Sequence, residues 1–514
     1  MNTKITPVIL AVLLVFSSVF AVTPVAAADS EDVLSPAILD DVGILDFEPG
    51  VDIVQYGIDG NPSFIIGYED GKLDTLRSWA DDSSSREIQY EGNGWAIVSS
   101  PAVDILEPGI ISESGLVTQD YITAVDYNVE VNVDPINSLD SEDRGAIELS
   151  PWERARTVLS PWTADGIAYD EDANETTVLD AREYIGADSV SVDGTGVDVA
   201  ILDTGTNYKS TLYGDSIVAG KDFVDDRGTV NASTGDYSAI EDGQGHGSWV
   251  SSAVSDVAPG ADLHIARVLG DDGSGSTESI VRGLEWACET QSVDVVSMSL
   301  GSTTYSTAIE SQVEDCAEDN GVLVIVAAGN DRQVTRWVAS PADSEHAMAV
   351  GATNAADATE TASAYFSNVG PDSGITDLSQ GETREATIDI AAPGMALTTN
   401  VSENGVTRAK TLSGTSMATP LVSGSAALLL EANPSLSATD ARERLTTTAT
   451  PLELASTSEV GSGLVNAGNA ISNAVPDETQ SQTQNDDADT RDAFNSALSG
   501  NFWDLRVHLH ALER

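Results

Sequence analysis

The chain has 514 residues, enough for two or three domains, and its 41% hydrophobic content admits a large core. Lys and Arg number 23 against 83 Asp and Glu, a formal net charge of -60, which argues against a nucleic-acid partner because phosphate binding needs clustered Lys and Arg. Disorder is a poor account of this charge, since the apolar periodicity is intact; the better one is a fold working in concentrated salt, where the Debye length shrinks to about 3 Å at 1 M, with a merely acidic exported protein as the alternative.

Residues 1–28 read as an export signal. Lys4 is the only charge before an apolar run over 8–22, and Ala26-Ala27-Ala28 offers a small-residue cleavage site. An uncleaved anchor is the competing reading. No other stretch approaches the roughly 20 apolar residues that span a bilayer, so no membrane association is expected once the signal is removed.

The next segment, assigned to 29–145, has a pattern of its own. Residues 63–68 predict a strand, 72–80 a short helix, and 88–99, broken by Gly92-Asn93-Gly94, a hairpin. Residues 103–119 are weakly helical; 121–125 and 129–133 alternate as strand. This β-α-β-β-α-β order predicts a small ferredoxin-like α+β domain. A polar stretch over 134–148 is a plausible boundary, and 152–187 carries no strong periodicity.

From residue 196 to about 474, strands alternate with helices. Strands are predicted at 197–202, 262–268, 293–300 and 322–328, and helices at 279–288 and 308–319. Apolar strands alternating with helices indicate a parallel sheet covered on both faces. Residues 418–430, apolar on nearly all sides, predict a buried central helix. Cys288 and Cys316 lie on apolar helical rows; a disulfide and two buried thiols are both open. In the acidic tail from 476 to 514, the polar stretch over 477–490 reads as linker or disorder, and 498–512 is faintly amphipathic.

Four runs carry chemistry. Ala200-Ile201-Leu202-Asp203-Thr204-Gly205 ends an apolar strand on an Asp, where sites form in open α/β sheets. Asp203 alone reads equally as a turn former. Asp242-Gly243-Gln244-Gly245-His246-Gly247 places a histidine among glycines at a helix start, a good general base or else a surface-turn histidine. Val326-Ala327-Ala328-Gly329-Asn330 delivers an amide to a strand end, where it can stabilise an oxyanion or simply terminate the strand. In Gly414-Thr415-Ser416-Met417-Ala418-Thr419-Pro420, a hydroxyl sits at the entry to the buried helix, its own N–H aimed at incoming negative charge.

Together these runs resemble the subtilisin-like serine peptidases, the subtilases, whose Asp, His, Ser chain order they share. Val257-Ala258-Pro259-Gly260-Ala261, Val296-Ser297-Met298-Ser299-Leu300-Gly301 and Ala391-Ala392-Pro393-Gly394 look like further family segments, so the likeness covers roughly residues 195–470. It implies a subtilisin-like α/β peptidase domain over 146–475, preceded by an inhibitory propeptide that assists folding and is then removed. It implies Ser416 as nucleophile, His246 as base, Asp203 as its orienter, and Asn330 with the Ser416 N–H as oxyanion donors. Gly273, Ser274 and Gly275, with Ser299, Leu300 and Gly301, would pair with a protein or peptide substrate as flanking strands. Ala328 and Gly329 would line the site, and the apolar surroundings of Ala327, Ala328 and Ala339 suggest an uncharged or hydrophobic side chain before the cut.

The composition resembles that of salt-adapted archaeal proteins, and the family likeness implies a secreted, monomeric, broad-specificity endopeptidase. A catalytically silent binding or surface protein of the same fold is the competing expectation. The sequence departs from the family pattern in several places. Ser248-Trp249-Val250-Ser251-Ser252 stands for Thr-His-Val-Ala-Gly after the base, and Leu421 for a His after Pro420. Only ten residues, 248–257, separate His246-Gly247 from Ala258-Pro259, which leaves no room for the family's calcium loop. Tyr208-Lys209-Ser210-Thr211-Leu212 replaces the run that also binds that ion. No cofactor is needed for the chemistry. A weaker calcium site at Asp222, Asp225 and Asp226 is a candidate, or these are three acidic residues among many.

Overall fold

The computed structural model describes residues 63–69, 71–100, 105, 116, 119, 121–128, 130–132, 176–207, 213–230, 234–302, 305–330, 332, 338–355, 361–364, 366–370, 386–403, 406–452 and 454–476. The signal segment, the 208–212 run and the C-terminal tail lie outside them, as does most of 103–119.

The first unit is built from β1 (Ser63–Tyr68), α1 (Leu73–Asp81), β2 (Glu87–Glu91), β3 (Trp95–Ser99) and β4 (Ile122–Tyr127). The strands form an antiparallel sheet in the order β2-β3-β1-β4, the order of a ferredoxin-like unit. Alternation along β1 and β3 gives the sheet two apolar faces. Phe64, Ile66 and Val98 pack on Leu76 of α1, while Ile65, Trp95 and Ile97 face the larger unit.

A short strand β5 (Glu130–Asn132) follows. Its residues were expected to extend the small domain's strand pattern. Instead β5 leaves that sheet and pairs elsewhere, as described below.

The larger unit opens with β6 (Thr176–Thr177) and α2 (Val178–Tyr184), in a stretch whose periodicity predicted nothing. The signal was present in another form: Thr177 and Asp180 make a reciprocal capping box, and Val178, Ala181 and Ile185 are buried at helical spacing. Then come β7 (Asp198–Asp203), β8 (Ile217–Asp222), α3 (His246–Val257), β9 (Asp262–Arg267), β10 (Ser274–Ser276), α4 (Thr277–Glu285), β11 (Val295–Met298), α5 (Thr307–Glu314), β12 (Leu323–Ala327), β13 (Ala347–Thr353), β14 (Ile390–Pro393), β15 (Leu397–Glu403), β16 (Val406–Leu412) and α6 (Thr415–Ala432).

Seven of these strands form a parallel sheet, β14-β13-β12-β11-β7-β9-β8. Its two faces are read directly from the period of two. Val199, Ile201, Leu263, Ile265 and Val295 pack with Trp249 and Val250 of α3 and Leu421 and Leu428 of α6. Ala200, Leu202, Ala266, Val296 and Val326 pack with Ile280 and Leu284 of α4 and Val313 of α5. Helix α6 is buried over nearly its whole length, so it has no polar face to present to water.

Cys288 and Cys316 follow α4 and α5 and are joined by a disulfide inside the second of these layers. The small domain's sheet lies against the same two helices. Arg282 of α4 covers the Tyr90 ring at 4.5 Å, and the Asn128 side chain accepts from the Glu278 N–H at the start of α4 at 3.0 Å.

Candidate active site

Strand β7 delivers Asp203 to the carboxyl edge of the sheet. Its carboxylate is 1% exposed. Oδ1 accepts from the Thr204 N–H at 2.7 Å, and the two oxygens lie 2.9 and 3.0 Å from His246 Nδ1.

His246 opens α3 and is itself buried. The turn ahead of it is wound around Asp242, which sequence reading left without a role. Asp242 Oδ1 accepts from the Gln244 and Gly245 N–H groups and the Thr204 hydroxyl, and Oδ2 from the Ser248 N–H and hydroxyl. Thr204 Oγ1 also accepts from Gly247 N–H at 2.9 Å. One carboxylate thus ties the end of β7 to the start of α3, which sets the Asp203–His246 distance. Two glycines are required here. Gly245 has φ +89°, and a Cβ on Gly247 would stand 2.2 Å from the Gly205 carbonyl oxygen. Ser248, where the family pattern has Thr, keeps the hydroxyl contact to Asp242. Trp249 is buried and donates from Nε1 to the Lys410 carbonyl at 2.9 Å.

Ser416 is the second residue of α6. Pro420 lacks an N–H, so the Ser416 carbonyl loses its helical donor four residues on. The Ser299 hydroxyl takes that place at 2.8 Å. In return the Ser416 hydroxyl donates to the Ser299 carbonyl at 3.2 Å. The nucleophile candidate is therefore turned toward β11 rather than toward the imidazole, and His246 Nε2 is buried without a hydrogen-bond partner among the described residues.

Asn330 follows β12. Its Oδ1 accepts from the Thr415 N–H at 2.8 Å and the Thr415 hydroxyl at 3.1 Å, which commits the oxygen and turns Nδ2 toward the start of α6. Thr415 is a second residue that sequence reading passed over. A Cβ added to Gly414 would stand 3.5 Å from Asn330 Nδ2 and 3.6 Å from the Ser416 nitrogen. The glycine leaves a space faced by two donors, with the helix dipole behind it, suited to a developing negative oxygen.

The remaining candidates flank this centre. Ser299, Leu300 and Gly301 continue β11, and Ala328 and Gly329 continue β12. A Cβ on Gly301 or Gly329 would meet Ala339 Cβ at 3.4 and 3.0 Å respectively, so these two segments converge on a slot with an uncharged wall. Ser274 and Gly275 lie in β10, with Gly273 just before it, and the partner of β10 is β5: Ser274 opposes Asn132, Gly275 opposes Val131 and Ser276 opposes Glu130, antiparallel. The edge expected to take substrate is taken by the chain's own N-terminal segment.

The weak calcium candidate has a different occupant. Arg267, fully buried at the end of β9, puts Nη1 2.8 Å from Asp222 and 3.1 Å from Asp225, and Nη2 3.0 Å from Asp271. Burial opposes ionisation of Asp222, but the Arg227 N–H and the Arg267 guanidinium hold its carboxyl below the usual range. Asp226, the third candidate, sits in the turn between Asp225 and Arg227 with φ +54°. Two of the three carboxylates are thus committed to a guanidinium, and among the described residues no group of three or more His, Cys, Asp or Glu is placed to hold a metal ion. The helix expected to leave no room for a calcium loop, α3, runs unbroken to Val257. His264 on β9 bonds Asp198 on the neighbouring strand at 2.6 Å.

A hydroxyl at a helix start, an imidazole held by a buried carboxylate and a two-donor space together suit acyl transfer. Comparison with known proteins agrees with that chemistry. The model of the subtilase family matches residues 194–483. The chain is 36% identical over 369 residues to alkaline elastase YaB of Bacillus sp. (strain YaB), covering 68% of this chain and 86% of that protein. It is 39% identical over 283 residues to subtilisin Savinase of Lederbergia lenta, covering 53% and 90%. The crystal structure of fervidolysin from Fervidobacterium pennivorans, a keratinolytic enzyme related to subtilisin, superposes with a TM-score of 0.61 over 89% of this chain and 65% of that one. At 18% identity that superposition speaks to the fold alone.

Proposed function

The chain belongs to the subtilase family of serine endopeptidases, and from that premise we propose that Ser416, His246, Asp203 and Asn330 carry its peptide-bond hydrolysis. The observation that carries this reading is His246: Nδ1 is held by Asp203, and Nε2 is buried with no partner among the described residues. A buried nitrogen left unpaired is costly unless a partner arrives. Rotation of the Ser416 side chain away from the Ser299 carbonyl supplies one. Nε2 then takes the hydroxyl proton as Ser416 attacks the substrate carbonyl, and the imidazolium is stabilised by Asp203. The oxyanion forms between Asn330 Nδ2 and the Ser416 N–H. His246 returns the proton to the leaving amine, and water repeats the sequence on the acyl-enzyme. These side chains supply all the chemistry, with no cofactor.

Asn330→Ala is expected to lower kcat by about 10²–10³-fold with little change in KM, because the lost donor acts mainly on the transition state. Steady-state kinetics on a chromogenic peptide decide this; an equal loss in KM would assign Asn330 to ground-state binding instead.

In the same reading, residues 1–28 direct export, 29–145 form a propeptide, 146–475 are the mature, monomeric peptidase, and 476–514 are an appended tail. The β5–β10 pairing supports inhibition by the propeptide, because the backbone groups of that edge cannot serve β5 and a substrate together. The slot near Ala339 supports a preference for uncharged or hydrophobic side chains before the cut. The charge of -60 supports salt adaptation like that of secreted halophilic archaeal members. Casein hydrolysis is expected to fall sharply below about 1 M salt as screening is lost. Full activity in dilute buffer would remove the salt-adaptation part while leaving the chemistry standing. The decisive comparison for the chemistry is wild type against Ser416→Ala.

A further inference from the structure

Lys410 is one of five lysines in a chain with 83 acidic residues. It lies half-buried on β16, the strand that leads into Gly414, Thr415 and Ser416. Its ammonium reaches the turn ahead of His246: a Cβ on Gly245 would stand 2.8 Å from Lys410 Nζ. The strand is held in place there by the Trp249 indole N–H on the Lys410 carbonyl. Among the described residues this ammonium has no hydrogen bond and no ion pair. In so acidic a protein, an unpaired cation partly withdrawn from water beside the reacting groups calls for an anion from outside.

The position says which part of a substrate meets it. Strand β5 runs antiparallel to β10, from Ser276 toward Ser274, so a chain bound on that edge approaches the centre with its acyl side on the β10 flank. The turn before His246 has a different neighbour at each end. At one end a Cβ on Gly243 would lie 2.5 Å from the Asp271 carboxyl carbon, in the loop that feeds β10; at the other, Gly245 lies against Lys410. Lys410 is therefore on the flank away from β10, where the leaving group departs.

We propose that Lys410 is a specificity-determining residue that receives an acidic side chain just beyond the scissile bond. The inference rests on Ser416 and His246 as the reacting pair. Concentrated salt weakens long-range attraction, but a contact pair partly shielded from water is screened much less, so the preference persists under the conditions in which this surface is most stable.

The test uses the secreted enzyme after removal of its N-terminal segment, with β10 free of β5, and matched internally quenched peptides carrying Asp, Asn or Lys at the first and second positions after the cut, with a control series carrying Asp or Asn before it. Wild type is expected to favour Asp over Asn after the cut by about fivefold in kcat/KM, mostly through KM. In Lys410→Met, which keeps the apolar stem, the ratio falls to about one. In Lys410→Glu it inverts toward Lys. The control series shows the same ratio in all three proteins. Thermal unfolding and active-site titration with a serine-directed inhibitor establish that the variants are folded. An unchanged Asp/Asn ratio in Lys410→Met overturns the inference. So does an equal loss on every peptide with a displaced pH profile, which would make Lys410 a positioning residue for His246. Undiminished cleavage by Ser416→Ala would remove the reacting pair itself, and this inference with it.

Discussion

Ser416→Ala is expected to lower kcat on casein or a peptide substrate by about 10⁶-fold, the scale of loss found when a subtilisin-type nucleophile is removed. The substitution deletes one oxygen. Among the described residues that oxygen makes a single hydrogen bond, to the Ser299 carbonyl at 3.2 Å, so the structural cost is about 1 kcal/mol and thermal unfolding should barely move. The reciprocal bond from the Ser299 hydroxyl to the Ser416 carbonyl survives, because it involves only backbone on the Ser416 side. The start of α6 and its N–H donors therefore stay in place, and the residual activity reports the oxyanion space alone. A second readout needs no substrate. If the chain removes its own N-terminal segment, the variant accumulates uncut, with β5 still on β10, and the mass of the secreted product shows it. Equal cleavage by variant and wild type would end the assignment of Ser416. Inactivity of both in concentrated salt would favour a binding protein of the same fold.

Asp203→Asn should cost about 10⁴-fold in kcat while leaving KM and the unfolding temperature nearly unchanged. The carboxylate is almost fully buried and contacts Nδ1 through both oxygens, so it accepts the Nδ1 proton and leaves Nε2 as the base. An amide in its place offers one acceptor and one donor. If the NH2 faces the ring, Nδ1 becomes the acceptor and the proton moves to Nε2, the tautomer that cannot take a proton from Ser416. Even in the other orientation the neutral amide does not stabilise the imidazolium. The Thr204 N–H bond to Oδ1 needs only an oxygen and is kept by one amide orientation. A large loss in kcat at constant KM separates this role from simple collapse of the turn, which would raise KM and lower stability together. Asp242→Ala provides that contrast, because five hydrogen bonds to Asp242 hold the turn itself.

The elements that form the sheet were legible because their signals are local. Strands β7, β9, β11 and β12 are apolar runs of the right length, and each of the four groups proposed to react sits in a short run whose composition suits that task. The missed elements failed for local reasons too. Helix α2 is brief, and its evidence lies in the cap between Thr177 and Asp180 rather than in a long periodicity. Asp242 and Thr415 act through hydrogen bonds to backbone groups, and such roles have no residue pattern of their own.

The sequence by itself determined four of the seven strands of the large sheet and the buried helix, and it singled out the four residues proposed to react, since each signal lies in neighbours within a few positions. Only the tertiary structure decided what meets what across the chain. It put β5 on the edge of β10, more than a hundred residues away, through backbone bonds to which any side chains would be compatible. It gave two of the three acidic residues of the calcium candidate to Arg267, on the neighbouring strand. It set one lysine of five against the turn before His246. A charge in a sequence has sign and count but no address; the address comes from which strands pair and which side chains the pairing brings within a few ångströms.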